Sequence, residues 1–558
     1  MNKFAVIITA LFYVLSDSVY GAATNLPDLM ISSEGSYWQT GTFTKVTSGT
    51  ADITVDEKIK NQLWEGFGGT FNEMGWDALS AVSSEIPKAL SLLFDKDDGL
   101  NLVYGRIPIG ASDYAMSWYT LAETAGDYTM ESFSIKRDRE KLIPYIKAAL
   151  EVKSDLHLWG SPWVCPGWMK NGMNFKDDPQ TLEAYALYFA KFVEEYGKEG
   201  LTIEAVHHQN EPGYAQVKWT IPLFVSFLRD YLGPKFDERS IAAEIWCGTM
   251  SHPDDAEIAL ACMNDAEAMK YIVGFGLQWN LESVVPTLSQ KGRVWQTEHR
   301  CGNYNFEAKY WDQSRYDPGK PQNDHLYGEE SWQLMRDWIA AGVNSYSAWN
   351  MILDTYGKSL GNWPQNALLV VDRSAKKLII TPAYWVFRHF SQYIDSGAVR
   401  IEASSSDTAT GDSDDVLAFQ NPDGNIITQV YNKDGAAKTL TISVSGELYQ
   451  FDIPAHSWAT LRSGPPTAIN DITHNQFLSN NNEPRITFTK EGYGIMLSSR
   501  KSGRVELLTL GGKIVESRTI PQGCREILLP KQRVHTGLFL VRVVQGSETV
   551  IARLFTTH

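Results

Sequence analysis

Positive charge is in short supply in this chain: 50 Lys and Arg stand against 66 Asp and Glu, a formal charge of −16 at pH 7 over 558 residues. A surface of that sign repels phosphate, which argues against nucleic acid or an anionic membrane as partner and leaves neutral ligands such as sugars compatible with it. Cysteine is scarce too. Cys165, Cys247, Cys262, Cys301 and Cys524 are scattered, odd in number and without metal-ligand spacing, so neither a disulfide scaffold nor a metal site is indicated. Beyond the N-terminus there is no apolar run long enough for a membrane helix. A dinucleotide loop is also lacking. Gly66-Phe67-Gly68-Gly69 does not have the G-x-G-x-x-G spacing, and no suitably placed acidic residue follows a second strand, so these glycines read as backbone packing. No cofactor is called for.

What the chain does have is material for a large core. It is 43% hydrophobic and 21% charged, enough for two or three domains. The 18 Trp and 25 Tyr offer faces that stack on sugar rings, a use they share with ordinary cores. At the N-terminus, Lys3, the apolar run Ala5 to Leu15, and Val19 and Gly21 predict an export signal over residues 1–21, cut ahead of Ala22, and therefore a secreted or cell-surface protein.

From residue 65 to 394 strand-like and helix-like segments alternate. Strands are expected at Trp64 to Thr70, Asn101 to Ile109, Asp155 to Ser161, Ile203 to Asn210, Ile241 to Gly248, Tyr271 to Gln278, Arg293 to Thr297 and Val343 to Ala348. Asp138 to Lys153 and Leu182 to Tyr196 have helical spacing between them, the second stopping at Gly197 and Gly200. Eight strands with helical material between them favour a closed (β/α)8 barrel over an open sheet.

In such a barrel the chemistry sits where strands end. The fourth strand ends in Asn210-Glu211-Pro212 and the seventh in Thr297-Glu298-His299, each an apolar run that turns polar and acidic. Two strand-end glutamates are the minimum equipment for cleaving a glycosidic bond. A lone Asn-Glu-Pro would more often be an exposed loop; the repeated pattern is what favours catalysis. Trp163 after the third strand and Trp349-Asn350 after the eighth add stacking faces and an amide at the same rim. His207, His208 and His299 are candidate supporting donors, and equally ordinary structural histidines.

The same residues carry a family resemblance. Arg106-Ile107-Pro108-Ile109-Gly110-Ala111-Ser112-Asp113-Tyr114, Phe133-Ser134-Ile135, Leu142-Ile143-Pro144, Ser161-Pro162-Trp163, Trp168-Met169-Lys170-Asn171-Gly172, Asn210-Glu211-Pro212, Thr297-Glu298, Trp349-Asn350 and His389-Phe390-Ser391 follow one another as in glycoside hydrolase family 30, which includes lysosomal glucosylceramidase. The resemblance covers about Phe43 to Arg462. It implies a retaining β-glycosidase with a (β/α)8 barrel and a side β-sandwich made from residues 22–64 and 395–463. By position it implies Glu211 as acid/base, Glu298 as nucleophile, and Arg106, Trp163, Asn210 and Trp349 as sugar-site residues, with a carbohydrate as substrate. Two departures stand out. Glu73 in the first βα loop takes the place of a sugar-binding Asp, and Gln278-Trp279-Asn280 replaces a stretch with a Tyr near the nucleophile. An exo-acting or short-oligosaccharide enzyme is expected, because the inserts Ser112 to Ser132 and Cys301 to Glu329 are placed to wall the cleft. An endo-acting β-glycanase such as a xylanase or β-1,6-glucanase, or a glycan-binding protein on a dead glycosidase scaffold, are the other readings.

After a closing helix at Tyr384 to Ile394, short alternating strands run from Val416 to Arg462, and Ser463-Gly464-Pro465-Pro466 marks a break. Residues 464–558 then form another all-β unit. This tail resembles the C-terminal sorting domains of the type IX secretion system, which would make secretion machinery its partner; a carbohydrate-binding module is the rival reading.

Overall fold

The computed structural model describes residues 26–213, 216–299, 325–362, 365, 367–405 and 415–464, and in the C-terminal region the strands between 485 and 556 with a few residues beside them. The predicted export signal, the proline-containing stretch from residue 465, Cys301, Cys524 and most of the Cys301 to Glu329 insert lie outside the described residues.

Eight parallel strands close into a barrel: Gly66–Thr70 (β1), Tyr104–Pro108 (β2), His157–Ser161 (β3), Ile203–His207 (β4), Glu244–Met250 (β5), Ile272–Leu277 (β6), Arg293–His299 (β7) and Ser345–Asn350 (β8). Closure comes from β8 pairing with β1, from Ser345 opposite Gly66 to Ala348 opposite Gly69 and, past a register shift, Asn350 opposite Thr70. The glycines of β1 make that pairing possible. A Cβ on Gly68 would lie 2.7 Å from Ser347 Oγ and 2.8 Å from Tyr104 Cβ, and one on Gly69 would meet Met351 at 2.4 Å, so they pack backbone against side chain. Inside the barrel Trp159, Ala205, Trp246 and Trp295 form a buried layer with Tyr104 against it. Strand alternation then places Arg106, Ser161, His207 and Thr297 two residues further along, toward the C-terminal mouth.

Helices cover the outside. Glu73–Ser80, Leu142–Val152, Pro179–Lys198, Pro253–Asn264, His325–Ala341 and Pro382–Ser391 are the main ones. The helix expected from Leu182 starts at Pro179, because Asp178 caps it by accepting from Thr181 N–H at 2.9 Å and proline suits the first turn. It also runs through Gly197 to Lys198, two residues beyond the expected end at Tyr196. Among the described residues no helix is long and apolar enough to cross a membrane.

The strands Leu29–Ser33, Ser36–Thr40, Thr44–Val46 and Ile53–Leu63, which precede the barrel, join six that follow it, from Val399–Ser405 to Ser457–Ser463, in one curled ten-stranded sheet. Leu29, Ile53, Ile401, Val430, Ile442 and Leu461 belong to its core, giving the side β-sandwich. The closing helix ties this sheet to the barrel. His389, fully buried, reaches Ser32 Oγ through Nε2 at 2.9 Å and Thr460 Oγ1 through Nδ1 at 2.7 Å, and burial holds its pKa down at about 3, so the ring stays neutral.

The chain divides into two compact units, Met1–Pro465 and Pro466–His558. The second is small and all-β: one sheet of Arg485–Thr489, Gly492–Met496 and Glu526–Pro530, another of four strands ending in the long hairpin Gly537–Gln545 and Glu548–Thr556, with Ile495, Val505, Leu507, Ile520, Val541 and Val543 inside.

Candidate active site

The C-terminal mouth is built around one buried guanidinium. Arg106 on β2 is fully buried and donates through Nε to Ser161 Oγ (2.9 Å). One terminal nitrogen donates to Glu298 Oε2 (2.7 Å) and Thr297 O (3.4 Å), the other to Asn210 Oδ1 (2.7 Å) and Thr249 Oγ1 (3.3 Å). Four strands besides its own, or the turns that follow them, thus converge on it. Its carbon lies 4.2 Å from the ring centroid of Trp163, with Trp159 and Trp349 at 5.2 and 5.6 Å. Such a site keeps a desolvated cation charged by supplying a carboxylate, neutral acceptors and ring faces together.

Glu298, on the penultimate residue of β7, is that carboxylate. The strand expected to stop at Thr297 runs on to His299, which pairs with Ala348, so Glu298 is fixed within the sheet edge and does not sit on a loop. Burial pushes its pKa above the ordinary carboxylate value, and the charge and hydrogen bond of Arg106, with donors from Trp279 and Gln278, oppose that rise without cancelling it. Gln278 is itself oriented by Thr297 Oγ1, which donates to its Oε1 at 3.1 Å, and its amide nitrogen lies 3.5 Å from Asn210 Oδ1.

Glu211 is treated differently. Strand β4 ends at His207, and the chain is then held by bridges to its neighbours: Asn210 N–H donates to Pro162 O and Glu211 N–H to Thr249 O, both at 2.9 Å. Glu211 is placed there with φ at +46°, a left-handed conformation that an ordinary side chain adopts only when its surroundings impose it. Among the described residues no cation contacts it. Burial and the negative charge of Glu298 push its pKa up to about 8, with Asp113 and Asp255 adding in the same sense and a hydrogen bond from Ser251 opposing. Two carboxyls in one cleft, one gripped by arginine and the other with its pKa raised toward neutral, have the unequal character that acid and nucleophile roles require.

Of the expected site residues, Arg106, Asn210, Gln278, Glu211 and Glu298 come together. Trp163 and Trp349 stack on each other, centroids 5.0 Å apart at 19°, and form one wall with Tyr114 edge-on to Trp349. Asn350 lies at the same rim but is engaged in a chain of amides, accepting from Asn72 Nδ2 at 3.0 Å and donating to Gln365 Oε1 at 2.9 Å. Glu73 is not brought into the group. It occupies the first turn of its helix, and its carboxylate is taken by Arg137 through both oxygens (3.0 and 2.7 Å) and by Met116 N–H (2.7 Å). His207 bonds Gly248 O at 2.8 Å between Trp159 and Trp246, and His208 is buried against Trp219 and Phe224. Burial lowers both pKa values, His207 to about 3, so these two are neutral core residues. His299 bonds Tyr346 and Ser331, beneath the mouth.

Sequence reasoning passed over Asp113, Thr249 and Ser251. Asp113 stands seven residues after Arg106 in a segment already singled out, and its charge is felt by both Arg106 and Glu211. Among the described residues no three His, Cys, Asp or Glu are grouped to hold a metal ion.

A parallel barrel whose mouth holds two chemically unequal glutamates, one buried and one partly buried, beside tryptophan faces has the equipment of a glycoside hydrolase. Residues 64–394 match the model of the glycosyl hydrolase family 30 TIM-barrel domain and residues 397–461 that of the family 30 β-sandwich domain. The chain belongs to glycosyl hydrolase family 30, a family of retaining O-glycosidases. It is 26% identical to the lysosomal acid glucosylceramidase of Mus musculus over 427 residues, 70% of this chain and 79% of that one. To the endo-1,6-β-D-glucanase neg1 of Aspergillus fumigatus it is 22% identical, covering 74% and 88%. The solved structure of SrfJ from Salmonella typhimurium shares the fold, with a TM-score of 0.69 at 23% identity over 78% of this chain and 98% of that one.

Proposed function

We propose that the protein hydrolyses β-glycosides by double displacement, with Glu298 as nucleophile and Glu211 as acid/base. Glu298 attacks the anomeric carbon as the bond to the leaving oxygen breaks, and that oxygen takes the proton of Glu211. In the second step Glu211 removes a proton from water, whose oxygen displaces Glu298 and restores both groups. Arg106 holds Glu298 ionised and aimed. Asn210, beside the acid, is placed to bond a hydroxyl of the reacting sugar, and Asp113 to accept from others, contacts worth more to charged than to neutral partners. The observation that carries this reading is the unequal treatment of the two glutamates: among the described residues one is paired to a buried arginine and the other is not. A scaffold used only to bind glycans would have no need of that inequality.

For substrate, we favour exo action on short β-linked glycosides. The loop after β2 reaches across to the segment after β8, where Tyr114 Oη donates to Gly357 O (3.1 Å) and Leu360 N–H to Asp113 O (2.7 Å). In an eight-stranded barrel β8 stands opposite β4, which carries Glu211 and so faces the leaving group. This seam therefore walls the far, non-reducing end of the sugar behind Trp349. The N-terminal stretch and the C-terminal unit are assigned to export and sorting on their sequence character.

Incubation with a 2-deoxy-2-fluoro aryl β-glycoside tests the assignment. Covalent label on the peptide bearing Glu298 is expected; label elsewhere, or on Glu211, overturns it. A panel of aryl β-glycosides and β-linked oligosaccharides, with product lengths recorded, separates exo from endo cleavage.

A further inference from the structure

Strand β5 does not keep simple alternation to its end. Trp246 belongs to the barrel's inner layer and Cys247 to the core around it, so alternation alone would send Thr249 outward with Cys247. A bulge prevents that. Cys247 lies opposite Phe275 of β6 and Thr249 opposite Gly276, leaving Gly248 as an extra residue with φ at +57°. A Cβ on Gly248 would also stand 2.6 Å from Met250 Cε, so the position suits glycine on both counts. The inserted residue turns Thr249, fully buried, into the mouth. There its Oγ1 lies 2.8 Å from Asn210 Oδ1 and 3.3 Å from a terminal nitrogen of Arg106. Its backbone holds the same turn, Thr249 N–H donating to Gln209 O and Thr249 O accepting from Glu211 N–H, both at 2.9 Å.

The direction of the side-chain bonds is forced. A guanidinium can only donate, so the Asn210 atom 2.7 Å from Arg106 is the amide oxygen, and the threonine hydroxyl accepts from Arg106 and donates to that oxygen. Gln278 Nε2 approaches the same oxygen at 3.5 Å. With its oxygen claimed, the amide presents its nitrogen on the side of Glu211, 3.5 Å from Oε2. We propose that Thr249 is a positioning residue for glycoside cleavage: its hydroxyl locks the Asn210 amide so that Nδ2 donates to the hydroxyl on the sugar carbon next to the anomeric centre. A contact of that kind strengthens as charge develops in the transition state, so its worth depends on an amide that cannot turn. One donor leaves an amide free to swing about that bond. The second, brought in from β5 by the bulge at Gly248, fixes its plane.

This inference rests on the double displacement proposed above, and its test keeps the two apart. Steady-state kinetics are measured on the aryl β-glycoside that the wild type hydrolyses best and on its 2-deoxy analogue, which lacks the hydroxyl assigned to Asn210, with spontaneous hydrolysis subtracted. Thr249→Val keeps the branched shape and loses the hydroxyl. It is expected to lower kcat on the parent glycoside by about tenfold, with KM changed by less than about twofold. On the 2-deoxy analogue the same variant stays within about twofold of the wild type, because the contact it spoils is already gone. Thr249→Ser brings back the parent rate, and if valine disturbs folding, Thr249→Ala reads the same difference between substrates. Equal losses on both substrates mean that Thr249 acts through Arg106 and Glu298 or through the fold, and they overturn the proposal, as does full activity of Thr249→Val on the parent glycoside. If the wild type takes no covalent label on Glu298 from the 2-fluoro glycoside, the underlying reading fails and this proposal falls with it.

Discussion

The two ends of the barrel use the same kit of residues and do different things with it. At the N-terminal end Arg293 lies between Glu65 and Glu244 over the rings of Trp246 and Trp295. The indole N–H groups finish the job, Trp295 donating to Glu65 at 2.8 Å and Trp246 to Glu244 at 3.1 Å. At the C-terminal end Arg106 lies over Trp159, Trp163 and Trp349, but it contacts one glutamate only, Glu298, and spends its other donors on neutral oxygens. The plug at the bottom gives both carboxylates a cation; at the top, among the described residues, only Glu298 has one. A buried Arg–Glu pair among tryptophans is therefore no mark of catalysis in this fold. The mark is the second carboxylate, which among the described residues has no cation partner.

The sharpest way to break that comparison is to neutralise one glutamate at each end. Glu298→Gln is expected to abolish turnover of every β-glycoside, by about 10⁴-fold or more, whatever the leaving group, because no glycosyl-enzyme forms. Glu65→Gln leaves kcat/KM within about twofold and lowers thermal stability, since it disturbs packing and an ion pair away from the chemistry. Equal losses of activity in the two variants would show that the bottom plug shapes the site and that the two ends do not differ in role.

Next in size is Glu211→Ala. With a good aryl leaving group the glycosyl-enzyme still forms, but its hydrolysis stalls for want of a base. Azide needs no deprotonation, so adding it restores turnover and gives a β-glycosyl azide; substrates with poor leaving groups stay nearly inert. An α-azide, or rescue no better than in the wild type, would reverse the allocation of roles.

The arginines give a smaller contrast. Arg106→Lys keeps a charge but cannot reach Ser161, Glu298 and Asn210 from one planar group, so kcat falls by about 10²-fold. Arg293→Lys is expected to change the melting temperature and leave kcat alone. Steady-state kinetics beside thermal unfolding of both variants decides it.

How much of this could be read in the chain follows from which contacts are local. All eight barrel strands were legible, because each is a short apolar run with its own turn signals, and so were Glu211 and Glu298, which end such runs. The strand ends were blurred by pairing that one strand cannot reveal: β8 was expected to stop at Ala348 and reaches Asn350 because Thr70 of β1 pairs with it there. Side-chain partners were hidden for the same reason. Nothing around Glu73 announces Arg137, 64 residues further on, and nothing around Glu211 announces Ser251 or Asp255 on the next strand's turn. Barrel closure makes these neighbours, and barrel closure is a property of the whole set of strands.

Glu73 offers the smallest effect and the finest probe of the mouth. As a sugar-gripping carboxylate it would set selectivity, and its replacement would hurt one sugar far more than others. Its contacts point elsewhere. Arg137, locked to Glu73 by two hydrogen bonds, also donates to Ser117 Oγ at 2.7 Å and Ser117 O at 3.2 Å and covers the ring of Tyr119, while Glu73 itself accepts from Met116 N–H. The pair clamps residues 116 and 117, three positions beyond the Asp113-Tyr114 seam that walls the glycone end. Glu73→Gln keeps the shape and loses the charge on a pair whose arginine is 30% exposed, so solvent softens the loss to about 1–2 kcal/mol of stability. KM is expected to rise about threefold for all accepted glycosides alike with kcat nearly unchanged, as uniform binding is weakened by a looser wall. Measuring kcat and KM for gluco-, xylo- and fuco-configured aryl β-glycosides separates the outcomes. A loss confined to one configuration would put Glu73 back in contact with the sugar and make Arg137 its orienting partner.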